Sequence, residues 1–217
     1  MNMTDVELSP AAQELTLPLP IYTSISIGTL RGMDGDEFTV VAGLNRDLVE
    51  QLKTRSLDET DTEIQKNTSD RERFGQGSYE EWYAKKRAPF ALVHAHGTLA
   101  ALAWLGPKPL GRKSLKHLSR SERAEDASLD AGDWHTVTYR SYRPFRGKKL
   151  MTPFARSTID IYRRIFPRAK LWAGAFADNP ASVALFTKLG FVIDETASDP
   201  DSHSTVMVLN KRNDTVI

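Results

Sequence analysis

Apolar residues recur along this chain with two periods, and the switches between them mark out its elements. Ile21-Tyr22-Thr23-Ser24-Ile25-Ser26-Ile27 largely alternates apolar and polar residues, the period of a half-buried strand. Phe38-Thr39-Val40-Val41-Ala42 is a second short apolar run. After Gly43, the residues Leu44, Leu48, Val49 and Leu52 change to a helical stripe. Residues 56–70 are acidic, polar and nearly free of large apolar side chains, which predicts a mobile loop. Ser78 with Glu81 three positions later forms a capping box for a helix from about Tyr79 to Arg87. Phe90 to His96 and Thr98 to Leu105 read as two strands around a tight turn at His96-Gly97. Trp134-His135-Thr136-Val137-Thr138-Tyr139 is rich in β-branched and aromatic residues, as strands are. Leu150, Phe154, Ile161, Tyr162 and Ile165 then fall at helical spacings, with Pro153 in the first turn and Pro167 beyond the end. A strand at Leu171 to Phe176 precedes a helix opened by Asn179-Pro180 and closed by Gly190. Phe191-Val192-Ile193 and Ser204 to Leu209 complete the series. Residues 1–19, with Pro10 and Pro18, lack periodicity and read as a flexible N-terminal arm.

Composition narrows the function classes. At 217 residues the default is one domain, here 20–217. A net charge of +1 gives no global reason to bind nucleic acid or an anionic membrane. The chain has no cysteine, which excludes disulfides, a thiolate nucleophile and Cys-ligated metal. No run approaches the about 20 apolar residues of a membrane span, and the start lacks the basic and apolar regions of a signal peptide, so a cytoplasmic location is expected. His94 and His96 point to one face of their strand, but no third ligand accompanies them, so no metal site is expected. Residues 107–133 form a polar loop insertion, basic in its first half (Lys108, Arg112, Lys113, Lys116, Arg120, Arg123) and acidic in its second (Glu125, Asp126, Asp130, Asp133). The basic half would suit an anionic acceptor or RNA. No aromatic residues are interleaved to stack bases, which argues against RNA.

The candidate chemistry lies in Tyr139-Arg140-Ser141-Tyr142-Arg143-Pro144-Phe145-Arg146-Gly147-Lys148-Lys149-Leu150-Met151-Thr152. A strand that enters a helix through a basic turn aims backbone N–H groups and the positive end of the helix dipole at one spot. That is an anion site, most often for phosphate. Arg143, Arg146, Lys148 and Lys149 add charge there, and Thr152 adds a hydroxyl.

This stretch resembles the acyl-CoA-binding motif of the GNAT acyltransferase superfamily, Arg/Gln-x-x-Gly-x-Gly/Ala, at Arg146-Gly147-Lys148-Lys149-Leu150-Met151. Lys149 and Met151 stand where the family has small residues. Asn179-Pro180-Ala181-Ser182-Val183-Ala184-Leu185-Phe186-Thr187-Lys188-Leu189-Gly190-Phe191 is similar to the family's later motif, in the right order and at the right distance. The resemblance covers residues 90–210. It implies an α/β (α+β) fold with a central mixed, mainly antiparallel twisted sheet flanked by helices, in the order β-α-α-β-β-β-α-β-α-β-β. It also implies direct transfer of acetyl from acetyl-CoA to the amine of an unidentified acceptor, and exposed strand edges that allow a homodimer. Implied contacts to the acyl-CoA are Tyr139, Ser141, Arg146, Gly147, Lys148, Lys149, Leu150, Met151, Thr152, Asn179, Ser182 and Phe186. The backbone of Tyr139 and Ser141 would pair with the pantetheine arm and polarise the thioester carbonyl. Trp82 and Tyr83 would either line the acceptor pocket or pack in the core. His135, Asp133 and Tyr142 are the candidate catalytic groups, His135 being tunable near neutral pH. Phe186 stands where many members have a tyrosine that protonates the departing thiolate. A non-catalytic acyl-CoA-binding regulatory module is therefore the alternative.

Overall fold

The β-branched and aromatic runs form strands, and in the computed structural model all of them join one sheet. The structure describes residues 5–113, 117–119, 121–122, 129–176, 178–198 and 204–210. The strands are β1 (Glu7–Leu8), β2 (Ile25–Arg31), β3 (Glu37–Ala42), β4 (Ala88–His94), β5 (Leu99–Pro107), β6 (Trp134–Ser141), β7 (Lys170–Phe176), β8 (Phe191–Ile193) and β9 (Ser204–Leu209). Their order in the sheet is β1-β2-β3-β4-β5-β6-β7-β9-β8. Every neighbouring pair is antiparallel except β6 and β7, which run parallel. This is the mixed, mainly antiparallel arrangement that the resemblance implies.

The helices are α1 (Pro10–Gln13), α2 (Arg46–Leu57), α3 (Thr62–Asn67), α4 (Tyr79–Ala84), α5 (Met151–Ile165) and α6 (Pro180–Lys188), with a π-helical turn at Arg71–Gly75. Side-chain caps start four of them. Asn45, Asp61, Ser78 and Asn179 accept from the amides of Leu48, Ile64, Glu81 and Ser182. Each such cap satisfies an amide that the helix itself leaves unpaired.

Helices cover both faces of the sheet. Leu48 and Leu52 of α2, Ile64 of α3, Phe74 and Trp82 pack on Leu102 and Trp104 of β5. On the other face, Phe154, Ile161 and Tyr162 of α5 and Phe186 of α6 pack with Val137, Leu171 and the other side of β4 and β5. Leu99 to Leu105 are all buried, as a strand covered on both faces must be, and this is why they form an unbroken apolar run. A fully buried side chain such as Phe154 contributes about 1.5–3 kcal/mol of transfer free energy. Trp82 belongs to this core, edge-on to Trp104 at 5.6 Å. The hairpin turn is as the sequence predicts, with Gly97 at φ +78°. Among the described residues no helix is long and apolar enough to cross a membrane.

Three segments differ from the sequence reading. The strand read at Ile21 to Ile27 begins at Ile25 and runs to Arg31, and residues 21–24 form a turn with Tyr22 at φ +62°. Residues 5–19 are not a loose arm. β1 pairs with β2, and Ala12, Leu15 and Leu19 are buried, because a short strand and one helical turn find partners on β2 and α5 that no local periodicity records. Residues 56–70 are also ordered. They contain the end of α2 and all of α3, and Asp61 and Asp70 are buried. Their polarity suggests a solvated loop, but these carboxylates meet arginines 85 and 70 positions away. The β2–β3 pair and β1 also precede the first long helix, where the implied order has a single strand. Within the insertion, Lys116, Arg120, Arg123, Glu125 and Asp126 lie outside the described residues, as do residues 1–4 of the arm and the polar tail after Asn210.

Candidate active site

β6 and β7 share only their first three rungs. Trp134, His135 and Thr136 lie opposite Lys170, Leu171 and Trp172, and no rung follows. β6 stays paired with β5 to its end, through Ser141 opposite Ala101, while β7 stays paired with β9 through Phe176 opposite Ser204. The two parallel strands therefore part, and a cleft of about 940 Å³, its open mouth included, lies between them.

The free edge of β6 faces this gap. Lys108 donates to the Trp134 carbonyl, and Tyr142 donates to the Ala100 carbonyl. In an antiparallel ladder the residues of that parity bond to β5, and the alternate ones point the other way. The N–H groups of Tyr139 and Ser141 thus have no strand partner among the described residues. Their carbonyls are held by guanidinium groups: Tyr139 O accepts from Arg140 Nη1 at 2.7 Å, and Ser141 O from Arg146 Nε at 3.1 Å and Nη2 at 2.9 Å.

Tyr139, Asn179, Ser182 and Phe186 all line the cleft. The Tyr139 ring packs on Phe186, and Ser182 lies beside it on the cleft wall. Burial pushes the Tyr139 phenol up, so it stays protonated at neutral pH, with Ser182 and Arg140 acting in the opposite sense. Asn179 caps α6 through the Ser182 amide at 3.1 Å. The residues of the basic turn lie outside the cleft lining, at the end of β6 that leads into α5.

That turn is more constrained than its charge suggests. Gly147 has φ +84° and Lys149 φ +61°, so Lys149 adopts a left-handed conformation that favours glycine. Arg146 is not an available cation. It makes a bidentate pair with Asp61 at 2.9 and 2.6 Å and reaches Glu63 at 3.1 Å. Lys148 is held by Asp34 at 2.6 Å and Asp36 at 2.9 Å. Arg143 and Lys149 are exposed. Leu150 is buried at the N-cap, and Met151 and Thr152 form the first turn of α5, where their amides lead the helix. Pro153 has no amide to offer.

The three catalytic candidates lie outside the lining. His135 is hydrogen-bonded through Nδ1 to the Tyr162 hydroxyl and packs on Phe166, against α5. Burial, and then the positive charge of Arg87, lower its pKa, with Asp133 opposing. Asp133 is exposed and 3.8 Å from Arg168. Tyr142 is buried in the α2–α4 layer beneath Arg55, and its hydroxyl has no hydrogen-bond partner among the described residues. Burial, reinforced by the Asp70 charge, drives its pKa well upward.

Of the remaining lining, the sequence singled out Lys108, Arg112 and Lys113 as the basic half of the insertion, and the other residues escaped sequence reasoning. Asn67, Thr68, Ser69 and Arg73 enter from the α3 side, with Thr138 and Arg140 from β6. The insertion contributes Lys108, Arg112, Lys113 and His117. Lys108 O accepts from Trp172 Nε1 at 2.9 Å, and the His117 ring lies edge-on to Phe176 at 5.4 Å. An arginine inside the β-branched run of β6 is a signal for Arg140, because a charged residue in a covered strand needs a partner. Nothing local marks Arg73 or His117.

The model of the Acetyltransferase (GNAT) domain matches residues 51–192 of this chain, beginning within α2. No curated protein matches it in sequence. Among solved structures, the chain is similar to the GNAT domain of S. lividans PAT, at 12% identity and TM-score 0.54, covering 83% of this chain and 94% of that one. It is similar to spermidine N-acetyltransferase from Vibrio cholerae in complex with CoA and spermine, at 17% identity and TM-score 0.52, covering 79% and 92%. It is also similar to AAC(6')-Ib in complex with ribostamycin and coenzyme A, at 15% identity and TM-score 0.54, covering 80% and 94%. At these identities the likeness is one of fold.

Proposed function

Because the chain belongs to the GNAT acetyltransferase family, we propose that it transfers an acetyl group from acetyl-CoA directly to an amine, within a ternary complex. The observation that carries this reading is the parting of β6 and β7 after Thr136 and Trp172. It leaves amides with no strand partner among the described residues beside a cleft that Tyr139, Asn179, Ser182 and Phe186 line. Solved structures of the same fold hold CoA, with spermine in one case and ribostamycin in another, which agrees with a donor thioester and an amine acceptor.

The residues fit that chemistry. A pantetheine arm is an extended chain of amides, and the open edge of β6 offers it a strand's hydrogen-bonding groups. The Tyr139 and Ser141 amides suit the negative charge that develops on the thioester oxygen. The amides of Met151 and Thr152 at the start of α5, with Lys149, suit a pyrophosphate. As the amine nitrogen bonds to the carbonyl carbon, the C–S bond breaks and the thiolate takes a proton from the Tyr139 hydroxyl, the phenol nearest to Phe186. A thiol titrates near about 8.5, so this donation assists departure without being obligatory. His117, on the cleft wall, accepts the proton that the amine gives up.

Calorimetric titration with acetyl-CoA tests the reading. Micromolar binding, followed by CoA release with a panel of amines, is the expected result. Failure to bind millimolar acetyl-CoA overturns it, and binding without turnover of any amine points to a regulatory acyl-CoA module.

A further inference from the structure

Buried charges must be paired, and one cluster on the α2–α4 side of the cleft is not balanced within itself. Asp70, 1% exposed, accepts from Arg140 Nε and Nη2 and from Arg73 Nη1. The side chains of Arg140 and Arg73 are 11% and 15% exposed. Two guanidinium groups share one fully buried carboxylate in a nearly water-free place, and the half-buried Glu72 acts on Arg73 without pairing with it, so a further anion in contact with Arg73 would be favourable.

The donors are unequally used. Arg140 commits Nε and Nη2 to Asp70 and Nη1 to the Tyr139 carbonyl. Arg73 reaches Asp70 through Nη1, and its Nε and Nη2 have no hydrogen-bond partner among the described residues. Arg73 and Arg140 both line the cleft, and both guanidiniums lie over the Trp104 ring, at 5.6 and 4.8 Å from its centroid. The ring holds the two planes in place. Asn67, Thr68 and Ser69 beside them are neutral, and Lys108, Arg112 and Lys113 add positive charge across the opening. Among the described residues the lining contains no aspartate or glutamate. A polycationic amine would meet like charge here and no carboxylate to receive it.

These groups also lie across the sheet from the proposed donor-binding groups. Arg140 stacks on Trp104 in the α2–α4 layer, whereas Tyr139 packs on Phe186 in the α5–α6 layer. A strand sends neighbouring side chains to opposite faces, so the cleft presents one chemistry to each side.

We propose that the acceptor is an amine that itself carries a carboxylate or phosphate group, with Arg73 as the residue that receives this anion. The inference rests on the acetyl-CoA-dependent reading above and deepens it. The planar fork of an arginine matches both kinds of anion through paired N–H groups. With the anion held there, the amine end of the same molecule is left to reach the open edge of β6.

The test uses the full chain saturated with CoA, titrated calorimetrically with matched pairs of amines. Glutamate is compared with glutamine, alanine with alanine amide, and phosphoethanolamine with ethanolamine, with spermidine as the polycation. The anionic member of at least one pair is expected to bind at least about tenfold more tightly than its neutral partner, as a charge-assisted fork requires. Whichever pair shows the difference tells carboxylate from phosphate. Arg73→Gln is expected to abolish the difference while leaving acetyl-CoA affinity unchanged, with thermal melting as a check that the variant folds. Spermidine or the neutral partners binding as tightly as the anions overturns the proposal, as does millimolar silence from every anionic amine. So does a loss of acetyl-CoA affinity in Arg73→Gln, since the cation would then serve the donor's phosphates. A wild-type protein that takes up no acetyl-CoA overturns the underlying reading together with this one.

Discussion

The rings of Tyr139 and Phe186 meet with centroids 5.1 Å apart on the cleft wall, which Ser182 also lines. A strand residue thereby brings a phenol to the ring that the helix supplies without one. If that phenol donates the proton to the leaving thiolate, Tyr139→Phe lowers kcat by about 10²-fold, the lower end of general-acid contributions. The KM for acetyl-CoA changes little. Steady-state kinetics with the two substrates varied separately check this, and an unaltered kcat assigns the proton to another source.

Tyr142 gives the opposite expectation. Its hydroxyl is buried without a partner among the described residues, so removing it deletes an unsatisfied polar atom and leaves the packing intact. Tyr142→Phe is expected to keep or raise stability, by up to about 1 kcal/mol, and to leave turnover unchanged. Urea unfolding and one activity assay decide between this and a catalytic role.

Asp70 holds two arginines that are remote from it in sequence. Asp70→Asn leaves both guanidiniums buried with no carboxylate and is expected to destabilise the protein by about 3–5 kcal/mol. Burial alone would raise the carboxyl pKa, but Arg140 and then Arg73 outweigh it and hold it below the usual carboxylate value. The folded state therefore binds fewer protons than the unfolded chain in this range. The stabilisation is complete above about pH 4 and is lost as the pH falls through the folded value. Denaturant midpoints measured from pH 7 downward are expected to show this loss, and to show less of it in Asp70→Asn.

His135 titrates in a different window. Its pKa lies below the ordinary value of about 6.5, through burial first and Arg87 second. Its contribution to stability is present above that pH and declines as the pH drops through the folded value. His135→Gln should flatten the slope of stability in mildly acid solution. Because His135 faces Tyr162 and not the cleft, the pH profile of kcat/KM should be the same in the variant. A lost limb in that profile would return His135 to the chemistry.

Lys149 combines strain with charge. A left-handed backbone costs a non-glycine residue about 1–2 kcal/mol, part of which glycine returns through its freer unfolded state. Lys149→Gly is accordingly expected to raise stability by up to about 1 kcal/mol. Lys149→Glu keeps the strain and reverses the charge, and is expected to weaken acetyl-CoA binding by about tenfold or more at low salt. Calorimetry on the two variants separates the backbone effect from the electrostatic one.

The sequence by itself determined the elements from Tyr79 onward. Their periodicities, the caps Ser78 and Asn179, and the turn at Gly97 are local properties, and local physics enforces them. It also marked the basic turn before α5 and the Asn179-Pro180 start of α6, since their residue types follow from what a turn or a helix start must do. What only the tertiary structure decided involves partners distant in the chain. Ala12 and Leu15 are buried because β2 and α5 receive them, although residues 1–19 carry no pattern. Asp61 and Asp70 look like solvated loop residues until Arg146 and Arg140 arrive from β6 and its turn. The same pairing withdraws Arg146 from the anion site that its position in the motif suggests. Likewise the cleft exists because β6 follows β5 while β7 follows β9. A strand's composition sets its propensity, but where it leaves its neighbour depends on the sheet as a whole.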